Sequence, residues 1–329
     1  MRVIVGDIGG TKTGLAVAEV DGGRVRLSAV ARYPSRQYAS LADIVRRWMD
    51  DTGVVCDLGS FAVAGPVVGG QSRTTNLPWS VDAAELARLL GFSDVRLLND
   101  LEAVAWGVDA LGPEDVAELQ AGEPGAVGNA CVVAAGTGLG EAGLFWDGAR
   151  HRPFATEGGH TDFAPADEHE FALLGFLQQR FGRVSWERVV SGMGIGNVYE
   201  FLADLHRAEH PPLVDEALAG NGDVAAAVAQ TAAAGCPVCS ETMAMFARLY
   251  GREAGNLALK LMASGGVYLG GGIAPKNLSL LRAGDFLAGF LDKGRMRELM
   301  ERMPVRVILN QQAPLLGAAL CNEALGARG

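Results

Sequence analysis

The chain opens on a continuous apolar run, Val3–Ile8, interrupted only by Gly6 and Asp7, which predicts a buried strand. Gly9-Gly10-Thr11-Lys12 predicts a turn, and an alternating strand follows through Ala16 and Ala18. Asp21-Gly22-Gly23 is a hairpin turn, after which Arg24-Val25-Arg26-Leu27 alternates as a third strand. Apolar spacing then switches to a helical period: Ser40 caps a helix whose Leu41, Ile44, Val45, Trp48 and Met49 share one face. A strand at Ser60–Ala64, a helix capped by Ser80 and a strand at Val95–Leu98 are expected next. A further helix carries Leu101, Val104, Ala105 and Val108 on one side and stops at Gly112-Pro113. An antiparallel meander feeding β-α-β-α predicts an α/β domain.

The pattern then restarts. Under a shift of 126 residues Gly10 falls on Gly136, Thr11 on Thr137, Gly14 on Gly140, Ala16 on Ala142 and Asp21-Gly22 on Asp147-Gly148. Arg24 and Arg26 fall on Arg150 and Arg152, so about half of positions 10–26 match without a gap. Two Gly-rich hairpins can look alike by chance, but this agreement favours two related α/β domains, each opening strand, glycine turn, strand. Residues 167–262 read as mostly helical and alanine-rich. A strand at Val267-Tyr268-Leu269 enters Gly270-Gly271-Gly272, and Pro275 is expected to open another helix at its first turn. A strand at Pro304–Leu309 and a helix at Pro314–Leu325 close the chain.

Composition narrows the partners. A length of 329 residues suits two domains, and 45 glycines in an aliphatic-rich chain point to tight turns and close backbone approach to a ligand. A net charge of −10 argues against nucleic acid or an anionic membrane as the main partner. Asp7 within so short an apolar run predicts no signal peptide, no stretch is apolar enough for a membrane span, and the opening strand leaves no room for a preceding DNA-binding domain. Five cysteines in a chain this long make no disulfide framework, so a reducing cytoplasm is expected.

The glycine turns carry the candidate chemistry. Asp7-Ile8-Gly9-Gly10-Thr11-Lys12 lacks the spacing of a Walker A loop. As a hairpin tip it still offers amides and a hydroxyl to phosphate, while the acid can hold a magnesium ion's water shell; a plain turn is the simpler alternative. Gly136-Thr137-Gly138-Leu139-Gly140 repeats it. Gly138, Gly140 and Gly143 mimic a dinucleotide fingerprint, but Glu141–Trp146 reads as a strand where that fingerprint needs a helix. Asp100 ends a strand and opens a helix, where it is either an N-cap or a catalytic carboxylate. Glu157-Gly158-Gly159-His160 puts an acid and an imidazole on one loop, and Glu187 alone reads as decoration of a helix's first turn. Cys236 and Cys239 with His206 and His210 have half the spacing of a zinc site, and ordinary cysteines in a helical segment are the better reading.

Together these segments resemble the bacterial glucokinase family, a branch of the duplicated actin–hexokinase–heat-shock ATPase fold. The matching strings are Val5–Thr11, Leu98-Asn99-Asp100, Gly136–Gly140, Glu157–Pro165, Ser185–Gly192 and Gly270–Pro275, in order over nearly the whole chain. Related sugar kinases and repressors carry a cysteine-rich zinc motif after Glu-x-Gly-His, whereas Thr161–Glu170 holds no cysteine. Lys12 departs from the asparagine of some members.

The resemblance implies an α/β fold of two related ribonuclease H-like (actin-like ATPase) domains with an interdomain cleft. Residues 1–110 with 311–329 would form the small domain and 111–310 the large one, with helical insertions. It implies phosphorylation of the glucose 6-hydroxyl by ATP with Mg2+, with Asp100 as the base and Asn99, Glu157, His160 and Glu187 holding the other hydroxyls. ATP would meet Asp7, Gly9, Gly10, Thr11, Lys12, Gly136, Thr137, Gly138, Gly271 and Gly272, with Asp7 holding magnesium through water. It further implies a cytoplasmic homodimer acting in glycolysis. The alternatives are a kinase for mannose or an N-acetylated hexosamine, or a non-catalytic sugar-sensing relative.

Overall fold

A computed structural model describes residues 1–73 and 77–326. The strands are β1 (Arg2–Ile8), β2 (Lys12–Asp21), β3 (Arg24–Pro34), β4 (Leu58–Val63), β5 (Val67–Val68), β6 (Gln71–Arg73), β7 (Ser80–Asp82), β8 (Asp94–Asn99), β9 (Val116–Gln120), β10 (Ala130–Ala135), β11 (Leu139–Trp146), β12 (His151–Thr156), β13 (Gly266–Gly270) and β14 (Val305–Ile308). The chain divides into two compact units. One comprises Met1–Val116, Ala149–Ala155 and the segment from Leu309 on; the other comprises Ala117–Gly148 and Thr156–Ile308. The expected small domain runs to residue 329, and its last three residues lie outside the described residues.

In the first unit the sheet order is β3-β2-β1-β4-β8, with β1–β2 and β2–β3 antiparallel and β1–β4 and β4–β8 parallel. Both faces are covered, which is why β1 reads as an apolar run without polar alternation before Asp7. Ile4 and Ile8 pack with Trp48 and Ile44 of the helix Leu41–Thr52, while Val3 and Val5 pack with Leu315 and Ala318 of the helix Ala313–Gly326. That last helix lies so close to the helix Asp100–Gly107 that a Cβ on Gly317 would overlap the Ala103 carbonyl.

The second unit orders its strands β11-β10-β13-β14-β9. Here β10–β11 is antiparallel and β10–β13 and β13–β14 are parallel, the same hairpin-then-parallel plan as β2-β1-β4-β8. The 126-residue sequence repeat is thus the β1–β2 hairpin redrawn as β10–β11. Its core joins Val133 and Leu269 to helices including Gly192–His206 and Pro237–Leu261.

Several local expectations change. Ser80 lies in β7, paired with Arg73, and it is Asp82 that caps the helix Ala83–Leu90 by accepting the Glu85 amide at 2.8 Å. The third strand extends to Pro34 because its partner β2 runs back to Lys12, which pairs with Pro34. The helix opened by Asp100 ends at Gly107 and tightens into a 3-10 turn, Val108–Ala110, short of Gly112-Pro113. Pro275 stands third in the short helix Ile273–Lys276.

Candidate functional site

In the first unit, three neighbouring parallel strands end together. Ile8 pairs with Val63 and Val63 with Asn99, so Asp7, Asn99 and Asp100 share the carboxyl-terminal edge of the sheet, where open α/β sheets place ligands. Asn99, not Asp100, is the helix cap: its Oδ1 accepts the amides of Leu101 at 2.9 Å and Glu102 at 3.3 Å. Its Nδ2 donates to the Gly65 carbonyl at 3.1 Å, and the same side chain hydrogen-bonds the Asp100 carboxyl, opposing the rise that burial causes. Asp100 reaches solvent, and its Oδ1 accepts the Leu101 amide at 2.9 Å. Crowding by surrounding protein still strips enough water to raise its carboxyl above the ordinary aspartate range. Asp7 is pushed up to about 6 by burial first and then by the Asp100 charge, with Arg32 opposing.

The turn after Asp7 is built by hydrogen bonds that no spacing reveals. Gly9 N–H donates to the Lys12 carbonyl at 3.0 Å, and Ser35 ties down both ends of the turn. Its Oγ donates to the Gly9 carbonyl at 2.7 Å, and its amide donates to the Thr11 carbonyl at 3.0 Å. Ser35 is fully buried, with Thr13 Oγ1 3.0 Å from its hydroxyl. Thr11 and Lys12 remain exposed.

The second unit gathers Glu157, His160, Glu187 and the Gly136–Gly140 turn. Glu157 to His160 is one tight turn, closed by the His160 amide donating to the Glu157 carbonyl at 3.0 Å. His160 lies between two acids, Nε2 3.9 Å from Glu157 Oε2 and Nδ1 4.0 Å from Glu187 Oε1. Glu187 lies in the first turn of a helix, as expected, but that helix is only the three-residue 3-10 turn Trp186–Arg188 and the side chain is engaged. Its Oε2 accepts the Leu139 amide at 3.0 Å and fills the space a Cβ on Gly138 would need. The Gly136 amide donates to the Gly138 carbonyl at 2.9 Å, while Thr137 is exposed. Gly271, at φ +76°, adopts a backbone conformation that favours glycine, and an added Cβ would overlap the Ala135 carbonyl. Gly272 faces open space. β11 is a strand through Trp146, as read, so Gly138, Gly140 and Gly143 form no dinucleotide turn.

Other supports escape the sequence reading. Arg183 donates through Nε to Asp162 Oδ1 at 2.7 Å and through Nη2 to the His160 carbonyl at 2.8 Å. Ser191 caps the helix Gly192–His206 and donates its hydroxyl to the Glu187 carbonyl at 2.7 Å. Ser-Gly at a helix start was the available signal for Ser191; Arg183 left none, because its partners are 21 and 23 residues away. The half-zinc pattern dissolves. His206 Nε2 meets Glu241 Oε2 at 2.9 Å, His210 Nδ1 meets the Tyr199 hydroxyl at 2.9 Å, and both thiols are free. Among the described residues no helix is long and apolar enough to cross a membrane.

A family model for glucokinase matches residues 4–325. The chain belongs to the glucokinase family. It is 41% identical to a glucokinase of Trichormus variabilis over 339 aligned positions, covering 98% of this chain and 99% of that one. Among solved structures, a glucokinase from an Antarctic psychrotroph superposes with a TM-score of 0.87 at 29% identity, over 98% of this chain and 99% of the other. A ROK-family glucokinase from Streptomyces griseus, solved with glucose and AMPPNP, shares the fold at a TM-score of 0.63 and 21% identity over 100% of both chains. The mixed α/β fold of the glucokinases, the actin-like ATPase fold, is therefore the fold of this chain.

Proposed function

We infer that this chain is a glucokinase, an enzyme that transfers a phosphoryl group from ATP to glucose to give glucose 6-phosphate and ADP. One observation carries the reading: about 40% identity to glucokinases over essentially the whole of both chains, inside a family match from residue 4 to 325. A kinase for mannose or an N-acetylated hexosamine is not favoured, and neither is a non-catalytic sensor.

The residue roles are part of the proposal. Asp100 accepts the proton of the 6-hydroxyl, consistent with a solvent-reachable carboxylate at a sheet's carboxyl edge whose crowding raises its basicity. Glu157, His160 and Glu187 offer acceptors and an imidazole to hydroxyls that both donate and accept, and Asn99 adds its side-chain amide beside Asp100. Phosphoryl transfer asks the protein chiefly to position its reactants and screen charge. The turn of Gly9, Gly10, Thr11 and Lys12, pinned by Ser35, and the turn of Gly136, Thr137 and Gly138, pinned by Glu187, are preformed amide cradles for the phosphates. Gly271 and Gly272 would lie along the adenosine. The domain bounds 1–110 with 311–329, and 111–310, are proposed with these roles.

Magnesium would neutralise phosphate charge. Asp7 fits such an ion: it is an oxygen donor, and a carboxyl titrating near 6 is ionised at neutral pH. Among the described residues no three metal-binding side chains stand together, so Asp7 would share the ion with water and ATP oxygens. We place the enzyme as a cytoplasmic homodimer at the entry to glycolysis. A panel of hexoses with Mg-ATP, read by ADP release, tests the assignment. The highest kcat/KM should fall on glucose, and a tenfold preference for mannose or N-acetylglucosamine would replace it.

A further inference from the structure

Directly beneath the Glu157–His160 turn lies the buried carboxyl of Glu141, on which the buried Glu253 acts in turn; the phosphoryl-transfer reading uses neither. Glu141 of β11 is 1% exposed and Glu253 of the helix Pro237–Leu261 is 0% exposed. Of the charges acting on Glu141, that of Glu253 is the largest. Yet no N–H or O–H among the described residues donates to either Glu141 oxygen or to Glu253 Oε1. Only Glu253 Oε2 has a donor, Asn256 Nδ2 at 2.9 Å. Two carboxylates are acceptors only, so no bond joins them unless a proton sits between them. Leaving both ionised in this buried site would set two like charges together with almost no donors to offset them.

The surroundings favour one remaining negative charge. From the same long helix Lys260 acts on both acids, and Lys293, on a separate segment, acts on Glu253. Lys293 Nζ is itself bonded to the Arg252 carbonyl at 3.1 Å and Asn256 Oδ1 at 2.8 Å, and Arg252 turns its guanidinium to Glu170 and Asp292. β10 contributes the Cys131 thiol, which burial keeps protonated, and the long helix adds the Tyr250 hydroxyl, which donates to the Val133 carbonyl at 2.9 Å. On the turn above stand the exposed Glu157 and His160.

The pair is coupled to that turn by shape and by hydrogen bonds. Glu141 Oε2 occupies the space that a Cβ on Gly158 would take. Thr156 Oγ1 donates to the Glu141 carbonyl at 2.9 Å and accepts the Gly158 amide at 3.2 Å. A Cβ on the neighbouring Gly159 would overlap the Leu139 carbonyl, so the turn lies close against the first residues of β11.

We propose that Glu141 and Glu253 share a single proton, and that this neutralised pair is the floor that holds the Glu157–His160 turn in its sugar-binding shape. Glu141 is then a positioning residue, acting through Glu157 and His160. The inference rests on the assignment of those two residues to glucose. Loss of the shared proton leaves two like charges side by side, and the Glu141 carboxylate is driven against Gly158. Burial, and then the Glu253 charge, raise the Glu141 carboxyl well above the ordinary glutamate value of 4.5. Stability from the shared proton is therefore complete below that value and is lost as pH rises through the folded-state titration.

The test compares the full-length wild type with Glu141→Gln and Glu141→Leu between pH 6 and 9, reading KM for glucose, KM for ATP and Tm without ligand. Gln keeps a neutral donor facing Glu253, so its glucose KM should stay flat with pH. The wild-type value should rise at the alkaline end, with KM for ATP unmoved in both. Glu141→Leu should raise KM for glucose about tenfold at every pH, the size of a lost buried hydrogen bond. The wild type should also lose more Tm than Glu141→Gln as pH rises, a readout that needs no sugar. Parallel Tm–pH curves would overturn the shared proton, as would a glucose KM that follows monovalent salt, which would mark a buried cation instead. A native glucose KM in a folded Glu141→Leu would overturn the positioning role. Glu157→Gln serves as the control: if it leaves KM for glucose unchanged, the sugar assignment has failed, and the Tm curves still judge the proton.

Discussion

The Glu187 carboxylate accepts the backbone amide of Leu139 at 3.0 Å while its other oxygen stands 4.0 Å from His160 Nδ1. A single side chain thus ties the Gly136–Gly140 turn to the cluster assigned to sugar. A residue that only met glucose would affect only glucose.

Glu187→Ala should therefore raise KM for both glucose and ATP. A charge-assisted hydrogen bond of about 1.5–3 kcal/mol corresponds to a change of roughly ten- to a hundredfold. Glu187→Gln, which keeps an acceptor for Leu139, should recover ATP binding more than glucose binding. Steady-state kinetics with each substrate varied in turn will show the split, and a change in KM for glucose alone would refute the link.

Ser35 supplies the matching case in the first unit. Its hydroxyl holds the Gly9 carbonyl at 2.7 Å and its neighbour Thr13 at 3.0 Å, both beneath the phosphate turn. Ser35→Ala should weaken ATP by about fivefold, near the 1 kcal/mol of one net hydrogen bond, and leave KM for glucose unchanged. Isothermal titration with a non-hydrolysable ATP analogue measures the effect directly.

Gly271→Ala should cost stability and ATP binding together. A side chain at φ +76° is strained, and its Cβ would overlap the Ala135 carbonyl, which cannot move without disturbing β10. Backbone strain of this kind costs about 1–3 kcal/mol. We expect a lower Tm and a raised KM for ATP, whereas an unchanged Tm would show that the Gly270–Gly272 segment yields freely.

The pH profile follows from Asp100. The base works only when ionised, and crowding raises its carboxyl above the ordinary 3.8. kcat should accordingly fall as pH drops, starting above the range of an ordinary aspartate. A profile flat down to pH 4 would remove Asp100 as the base.

Much of this was legible before the structure. β1 and β10 read as strands because both faces of each are buried, and glycine turns stand out because few other residues make them. The resemblance over the matched strings then supplied the family. What stayed hidden depends on contacts distant in sequence. Ser35 joins Gly9 across 26 residues, and Glu187 reaches Leu139 across 48. Glu141 reads as an ordinary polar residue on a strand, and only the arrival of the long helix makes it half of a buried acid pair. Asp100 looked like a candidate cap, but the Asn99 amide oxygen already binds the first amides of the helix, which leaves the acid available for other work.

The central claim is a glucose kinase with Asp100 as its base, and one comparison tests it most directly. Purified protein with Mg-ATP and glucose, followed by coupled ADP release and glucose 6-phosphate formation, should yield the two products one for one. Asp100→Ala, folded and still binding glucose, should lose at least about a hundredfold in kcat. Near-normal turnover in that variant, or no glucose-dependent ADP from the wild type, would contradict the account.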